Sequence, residues 1–427
     1  MCPDAGPTVL RDCADAEAYV ASVCFKHGPP RLTGIELEWL VHGPDPARPL
    51  DRDVLAAALG PHAPPSLDPA SPARPLPAGS AVTVEPGGQV ELASPPLPDL
   101  AGLVAAVTAD AAVLHGRLAA AGLAVHPRAA DPLRGPRRLL DVARYRAMEQ
   151  SFDRTGPYGR SAMCSTAAVQ VCVDAGESDR VAARWAALHA LGPVLLAAFA
   201  NSPVLHGRRT GWKSSRFAVW RSCDPARTAP PGADDTDPGR DPTDGWTRRV
   251  LSSPVLCVRG EGTWTVPERT TFADWVRGAL DRPPTVADLE YHTSTLFPPV
   301  RPRGHLEVRY VDAQPGGGWV LPVAVVSALL DGPDVLDRVL ELCEPARGRW
   351  ISGARHGLDD RVLARAAAGV FTLACERLAG APAGTVPPAV AAAVVAMTER
   401  QVLRGRCPAD DPGAGEPPPA PAPVEET

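Results

Sequence analysis

The sequence predicts an α+β fold. Short period-two segments with one polar side recur between residues 34 and 312, and apolar residues at three- and four-residue spacing fill the intervals and most of the C-terminal segment. Residues 34–41 read as a strand with Ile35, Leu37 and Trp39 on one face and Glu36 and Glu38 on the other. Residues 84–92 read as extended chain broken at Gly87-Gly88 by a bulge or tight turn, after which Gln89 and Glu91 oppose Val90 and Leu92. Leu100, Leu103, Val104, Val107, Leu114 and Leu118 mark a helix that ends near Gly122. Residues 168–174 form a strand with Val169, Val171 and Val173 facing one way and Gln170 the other. Ser178 is placed to cap a helix running to about Ala200, with a kink at Pro193. In 305–312, His305, Glu307 and Arg309 alternate with Leu306, Val308 and Tyr310. Residues 334–342, 359–378 and 388–403 complete the helices.

The 427 residues are 45% hydrophobic but only 5% aromatic, so Ala, Val and Leu must supply most of the core. Net charge is −6 without long basic runs, which argues against nucleic acid or an acidic membrane as partner. The amino terminus lacks a basic, then apolar, leader, and no uninterrupted apolar stretch approaches the roughly 18 residues of a membrane span. Ten cysteines form no CxxC pair and read as reduced thiols of a cytoplasmic protein. Three stretches are too rich in Pro, Gly or acidic residues to read as regular structure. Residues 61–77 and 224–244 read as flexible loops and 407–427 as a disordered Pro-rich tail, which leaves 1–406 as one domain.

The polar faces of the four strands share a composition. Glu36, Glu38, Glu91 and Glu307 stand with Gln89, Gln170 and Arg309, and Ser, Thr and Lys of ordinary wet faces are nearly absent. Any one such strand is explained by a half-exposed position. Four lining one concave sheet would repel each other unless cations sat between them, and hard divalent ions shared with phosphate oxygens answer that need.

In order along the chain stand GIELEWLV, EPGGQVELASPP, STAAVQVCVD, FANSPVLHGRRTGWKSSRFAVW, LEYHTSTLFPPVR and HLEVRYVDAQP. Together they resemble the plant-type glutamate–cysteine ligase family, most closely its bacterial branch that feeds ergothioneine or related thiol synthesis. The resemblance covers roughly residues 31–314. It implies a fold similar to the glutamine synthetase catalytic domain, a curved, mainly antiparallel sheet funnel backed by helices. It also implies ATP as co-substrate, two or more Mg2+ ions, and glutamate and cysteine as substrates joined through a γ-glutamyl phosphate.

By the same resemblance, Glu36, Glu38, Glu91 and Glu307 correspond to metal ligands, and Gln89 pairs with Glu91 toward metal or substrate. Glu85, Thr166 and Gln170 correspond to positions near nucleotide and glutamate. Arg216 corresponds to a residue holding a carboxylate or phosphate, and Arg309 to the phosphate clamp, a role suited to a guanidinium fork. Cys172 departs from the Asn usual in plant members, which leaves the amine acceptor open. Another ATP-dependent carboxylate–amine ligase using glutamate with a different amine is the alternative, as is a non-catalytic glutamate- or nucleotide-binding relative.

Several motifs also have structural readings. Asn201-Ser202-Pro203 reads equally as a family motif and as a helix exit. The run GRRTGWKS lacks P-loop spacing, so Arg208, Arg209 and Lys213 read as a solvated loop. Cys164 and Cys172 read as core thiols, Trp39 and Trp220 as core rings, and His305 as either metal-facing or structural.

Overall fold

The computed structural model describes residues 8–411 apart from Thr263. One antiparallel sheet organises the chain. Its strands are β1 (Thr33–His42), β2 (Ala81–Val84), β3 (Val90–Ala93), β4 (Ala124–His126), β5 (Ala168–Asp174), β8 (Val300–Pro302) and β9 (His305–Asp312), in the order β2-β3-β1-β5-β9-β8, with β4 added to the end of β1. Between β5 and β8 a separate hairpin joins β6 (Val204–Leu205) to β7 (Arg208–Arg209).

Antiparallel register fixes which side chains meet. Glu38 lies opposite Glu91, Glu36 opposite Gln170, and Cys172 opposite Glu307. Residues 85–89 are a tight turn, closed by Glu85 N–H to Gln89 O at 2.8 Å and Gly88 N–H to Glu85 O at 2.9 Å. Gly87 is required there, since a Cβ would stand 2.3 Å from the carbonyl oxygen of Cys164.

The other face is dry. Ile35, Leu37, Val169, Val171, Val173, Leu306 and Val308 are all buried, and the helix Val181–Ala198 packs behind them. Tyr310 donates its hydroxyl to Leu188 O of that helix at 3.1 Å. Gly192 lets the Trp350 ring lie on the same helix, where a Cβ would come within 1.9 Å of it. Helix Val320–Leu329 also packs on β5, while Pro333–Cys343 and Arg361–Ala379 pack against Val181–Ala198, and Pro388–Arg400 packs against Val320–Leu329 and Arg361–Ala379.

Four expectations change. Ser178 does not cap its helix; Arg180 occupies the N-cap without a side-chain bond, and the Glu177 carbonyl accepts from the Arg180 and Val181 N–H groups. Residues 224–244 are not one loop. Asp224 caps Pro225–Thr228 and Asp241 caps Pro242–Ser252, each Asp followed by proline at the first helical position. Arg227 inside that stretch is 1% exposed and binds Asp224 and Thr295 Oγ1 at 2.8 and 2.9 Å. Two helices, Leu100–Ala120 and Val181–Ala198, are long and apolar enough to cross a membrane by length and composition, because Ala and Gly spread apolar character between the larger residues. The second lies inside the protein, and the first turns Asp110 inward to accept from Ala78 and Ser80 N–H groups at 2.7 and 2.9 Å.

The fourth change concerns residues 407–411 of the expected tail. Residues 407–411 pack on the domain: Cys407 is buried, and Ala409 N–H donates to Ala200 O at 2.9 Å. Lys213 reaches Asp410 and Asp359, each at 2.8 Å, so it is not a solvated loop cation. The rest of the expected tail, 412–427, lies outside the described residues. Residues 61–77 do form a surface excursion, held by the buried Leu67 and Leu76.

Asp410→Ala is expected to lower stability by about 1–2 kcal/mol, because it removes the Lys213 pair and the bond to Cys407 N–H at 2.9 Å. Asp411→Ala, whose side chain among the described residues pairs with the half-exposed Arg406 at 3.4 Å, should stay within about 0.5 kcal/mol. Urea unfolding of both variants checks the contrast.

Candidate active site

The polar face of the sheet encloses a chamber of about 350 Å³. β1 supplies Glu36 and Glu38, the turn after β2 supplies Glu85, and β3 supplies Glu91. Gln89, Thr166, Gln170 and Arg309 complete the set of expected residues that line it.

Those carboxylates do not share one electrostatic state. Burial pushes the Glu91 carboxyl well above the ordinary 4.5, and the neighbouring charges of Glu36, Glu85 and Glu38 add to the shift. Burial, then Glu38, pushes Glu85 up to about 7. Glu36 is raised by burial and by Glu307, against the pull of Arg309 and Arg301. Glu38 is raised by burial despite Arg216, Arg309 and its bonds to Ala168 N–H at 2.9 Å and Gln170 Nε2 at 2.7 Å.

Glu307 is the exception. Burial works against its charge, but Arg301 and Arg309 outweigh it and hold the carboxyl well below the usual range. Arg301 forks onto it through Nε and Nη2 at 3.0 and 2.8 Å, and Arg309 Nη1 bonds both Glu307 and Gln170. Glu307 therefore does not line the chamber as a free carboxylate; it anchors two guanidiniums beneath it.

Other expected residues serve as supports. The Gln89 amide is fully engaged, donating to Met163 O and Thr166 O and accepting from Gly87 N–H, which locks the turn that carries Glu85. Thr166 Oγ1 donates to Ala162 O and accepts from Trp220 Nε1 at 3.0 Å. Arg216 lies outside the chamber. Its Nη2 donates to Arg309 O at 2.8 Å and its Nη1 stands 3.8 Å from Asp312, so its expected direct hold on a ligand is not the placement found. Asp312 in turn accepts from Asn201 N–H, Ser202 Oγ and Ser214 Oγ, at 2.9, 2.7 and 2.8 Å. That knot accounts for Asn201 and Ser202 as structural groups.

Cys164, Cys172 and His305 do not line the chamber. Burial pushes the Cys164 thiol up to about 12 and the Cys172 thiol well above 9.0, so neither is an activated nucleophile. Trp39 is core, as expected, whereas Trp220 lines the chamber with Phe297. Arg144, Tyr145, Arg301 and Arg303 also line it and were not anticipated. The two arginines flanking Pro302 were legible as an alternating pair just before the last strand; nothing local marked Arg144 or Tyr145.

Hard oxygen donors are what the chamber offers an ion. Glu36, Glu38, Glu85 and Glu91 line it, and neither thiol nor imidazole does. Among the described residues, no three His, Cys, Asp or Glu side chains converge into a ready ligand set, so side-chain rotation and ligand oxygens would have to complete one.

Residues 32–412 match the family described as glutamate-cysteine ligase family 2. The chain is 41% identical over 415 residues to the glutamate–cysteine ligase EgtA of Mycobacterium tuberculosis, covering 94% of this chain and 90% of that protein. It is 40% identical over 414 residues to EgtA of Mycolicibacterium smegmatis, covering 95% and 92%. The chloroplastic glutamate–cysteine ligase of Brassica juncea is 29% identical over 292 residues, covering 66% and 55%. Among solved structures, the glutamate–cysteine ligase of Francisella tularensis in complex with AMP superposes with a TM-score of 0.53 at 13% identity, over 90% of this chain and 84% of that one. That likeness shows the fold: an open antiparallel sheet backed by helices.

The raised carboxylates give a signed pH dependence. Glu85 in the folded protein keeps its proton to about pH 7, against an ordinary value of 4.5, so its contribution is full below about 4.5 and is lost as pH rises through 7. Glu85→Gln should therefore stabilise the metal-free protein by roughly 1–3 kcal/mol at pH 8 and leave it unchanged near pH 4. Urea unfolding from pH 4 to 8 without divalent ions or nucleotide measures this.

Proposed function

Because the chain belongs to glutamate-cysteine ligase family 2, we propose that its carboxylate chamber is where the γ-carboxyl of glutamate is joined to the amino group of cysteine at the expense of ATP. The observation that carries the reading is the register of β1: it sets Glu38 against Glu91 and Glu36 against Gln170 on one enclosed face, beside Arg309.

The chemistry runs in two displacements. A γ-carboxylate oxygen of glutamate attacks the terminal phosphorus of ATP, and the bond to the ADP oxygen breaks. The cysteine amine then attacks the acyl carbon, phosphate leaves with the C–O electron pair, and the amine gives up a proton. No enzyme thiol or hydroxyl is needed as nucleophile. The protein's part is positioning, charge compensation and exclusion of water from the acyl phosphate. Arg309 suits the phosphoryl oxygens, because Glu307 and Gln170 hold its Nη1 and Arg216 holds its backbone carbonyl, which orients the guanidinium with its other N–H groups left to give.

The acidic donor set fits Mg2+. Glu36, Glu38 and Glu91, with Glu85, would hold it, whereas Glu307 joins only if the Arg301 fork opens. Bound there, magnesium would supply positive charge that offsets the carboxylates and the phosphoryl oxygens. The free state of all nine described cysteines supports a cytoplasmic location. The named bacterial relatives support a product destined for ergothioneine or a related thiol.

Mass spectrometry of a reaction containing glutamate, cysteine, ATP and Mg2+ should show γ-glutamylcysteine with ADP and phosphate in equal amounts. AMP and pyrophosphate would mean an adenylate intermediate and overturn the reading.

Single changes separate ligand from support. Glu36→Gln, Glu38→Gln and Glu91→Gln should each cut turnover about 100-fold or more at limiting Mg2+ while the fold persists. Glu307→Gln should also lose activity but destabilise the protein by roughly 2–4 kcal/mol, because buried Arg301 and Arg309 are left without their shared counter-charge. Turnover against Mg2+ concentration, with urea unfolding of each variant, tests the split.

A further inference from the structure

We propose that Arg303 is the residue that holds the α-carboxylate of the amine acceptor, and so helps to select an amino acid over a simple amine. The proposal rests on the chamber being the ligation site.

The chamber arginines differ in what they have left to give. Arg309 is committed to Glu307 and Gln170. Arg301 spends its Nε and Nη2 on Glu307 and its Nη1 on Leu296 O at 3.2 Å. Arg144 gives Nη1 to Ser294 Oγ at 3.1 Å and Nη2 to Ser294 O at 3.0 Å. Arg303 makes no side-chain hydrogen bond among the described residues. Its nearest carboxylate oxygen, on Glu307, is 3.9 Å away and already bonded to Arg301.

Placement adds a second argument. The Arg303 side chain is 50% exposed, yet the residue lines the chamber, so it sits at the rim rather than the floor. The turn beneath it is pinned: Arg303 N–H donates to His305 O at 2.8 Å, and Gly304 N–H donates to Cys24 O at 2.8 Å. Gly304 has φ +80°, a conformation that favours glycine at this tight link between β8 and β9. A cation on a fixed backbone at an open rim is suited to an incoming anion.

Of the reactants, the glutamate γ-carboxyl and the terminal phosphate must reach the carboxylates and Arg309 inside. The acceptor reacts last, with its amine directed inward, and its α-carboxylate lies one carbon away from that amine. A rim guanidinium meets that geometry, and a planar fork matches a carboxylate.

The test compares wild type, Arg303→Ala and Arg303→Lys with cysteine and with cysteine methyl ester, whose carboxyl is uncharged. Arg303→Ala is expected to raise KM for cysteine about tenfold or more, leave KM for glutamate and ATP within about twofold, and abolish the preference for cysteine over its ester. Arg303→Lys should recover part of the cysteine affinity. Unchanged cysteine KM, a rise in glutamate or ATP KM in its place, or an undiminished preference for the free acid would overturn the proposal. Glutamate-dependent ADP formation by the same variants reports separately on the chamber: its loss in wild type would refute the ligation reading itself.

Discussion

Buried negative charge is the constraint around which this protein is arranged. Antiparallel pairing places Glu38 directly against Glu91, with Glu36 one position along the same face and Glu85 at the mouth of the adjoining turn. A carboxylate desolvated beside another carboxylate is unfavourable, and all four are displaced toward their neutral forms. Positive charge brought among these carboxyls would favour their ionised forms.

Around this cluster lies a second layer with the opposite logic. Glu307 is fully buried and ionised because Arg301 and Arg309 are bonded to it. Asp312, two strand positions beyond Arg309's neighbour, gathers two serine hydroxyls and the Asn201 N–H, and Arg216 lies between it and the Arg309 carbonyl. Ser214 in that knot also caps the helix Ser215–Cys223, which carries Arg216 and Trp220. The Arg309 side chain is thus held by Glu307 and Gln170 and its backbone carbonyl by Arg216. Such networks are costly to break because each lost partner leaves a buried charge or donor behind.

Residues 407–411 tie into the same region. Arg128 Nη1 donates to Pro408 O and to the Asn201 side-chain oxygen, so residues 407–411 brace the loop that supports Asp312. This links a segment that is remote in sequence to the floor of the chamber through two hydrogen-bonded residues.

The sequence by itself determined the sheet's polar and apolar faces, because a period of two is a property of extended chain whatever surrounds it. Glu36, Glu38, Glu91 and Gln170 were readable on that ground alone, as were the long helices with regular apolar spacing. Local chemistry was also present but outweighed: Asp224-Pro225 and Asp241-Pro242 are helix starts, hidden within a composition typical of loops. Only the tertiary structure decided which charged groups face the chamber and which face one another. Glu307 and Glu36 look alike along their strands, yet one is neutralised by Arg301 from the neighbouring strand and the other is not. Arg216 and Arg303 differ in the same way, the first enclosed beneath the sheet and the second left at the rim. A side chain's charge is written in the sequence, but its counter-charge is supplied by whichever strands and loops fold against it, and that choice exists only once the chain has folded.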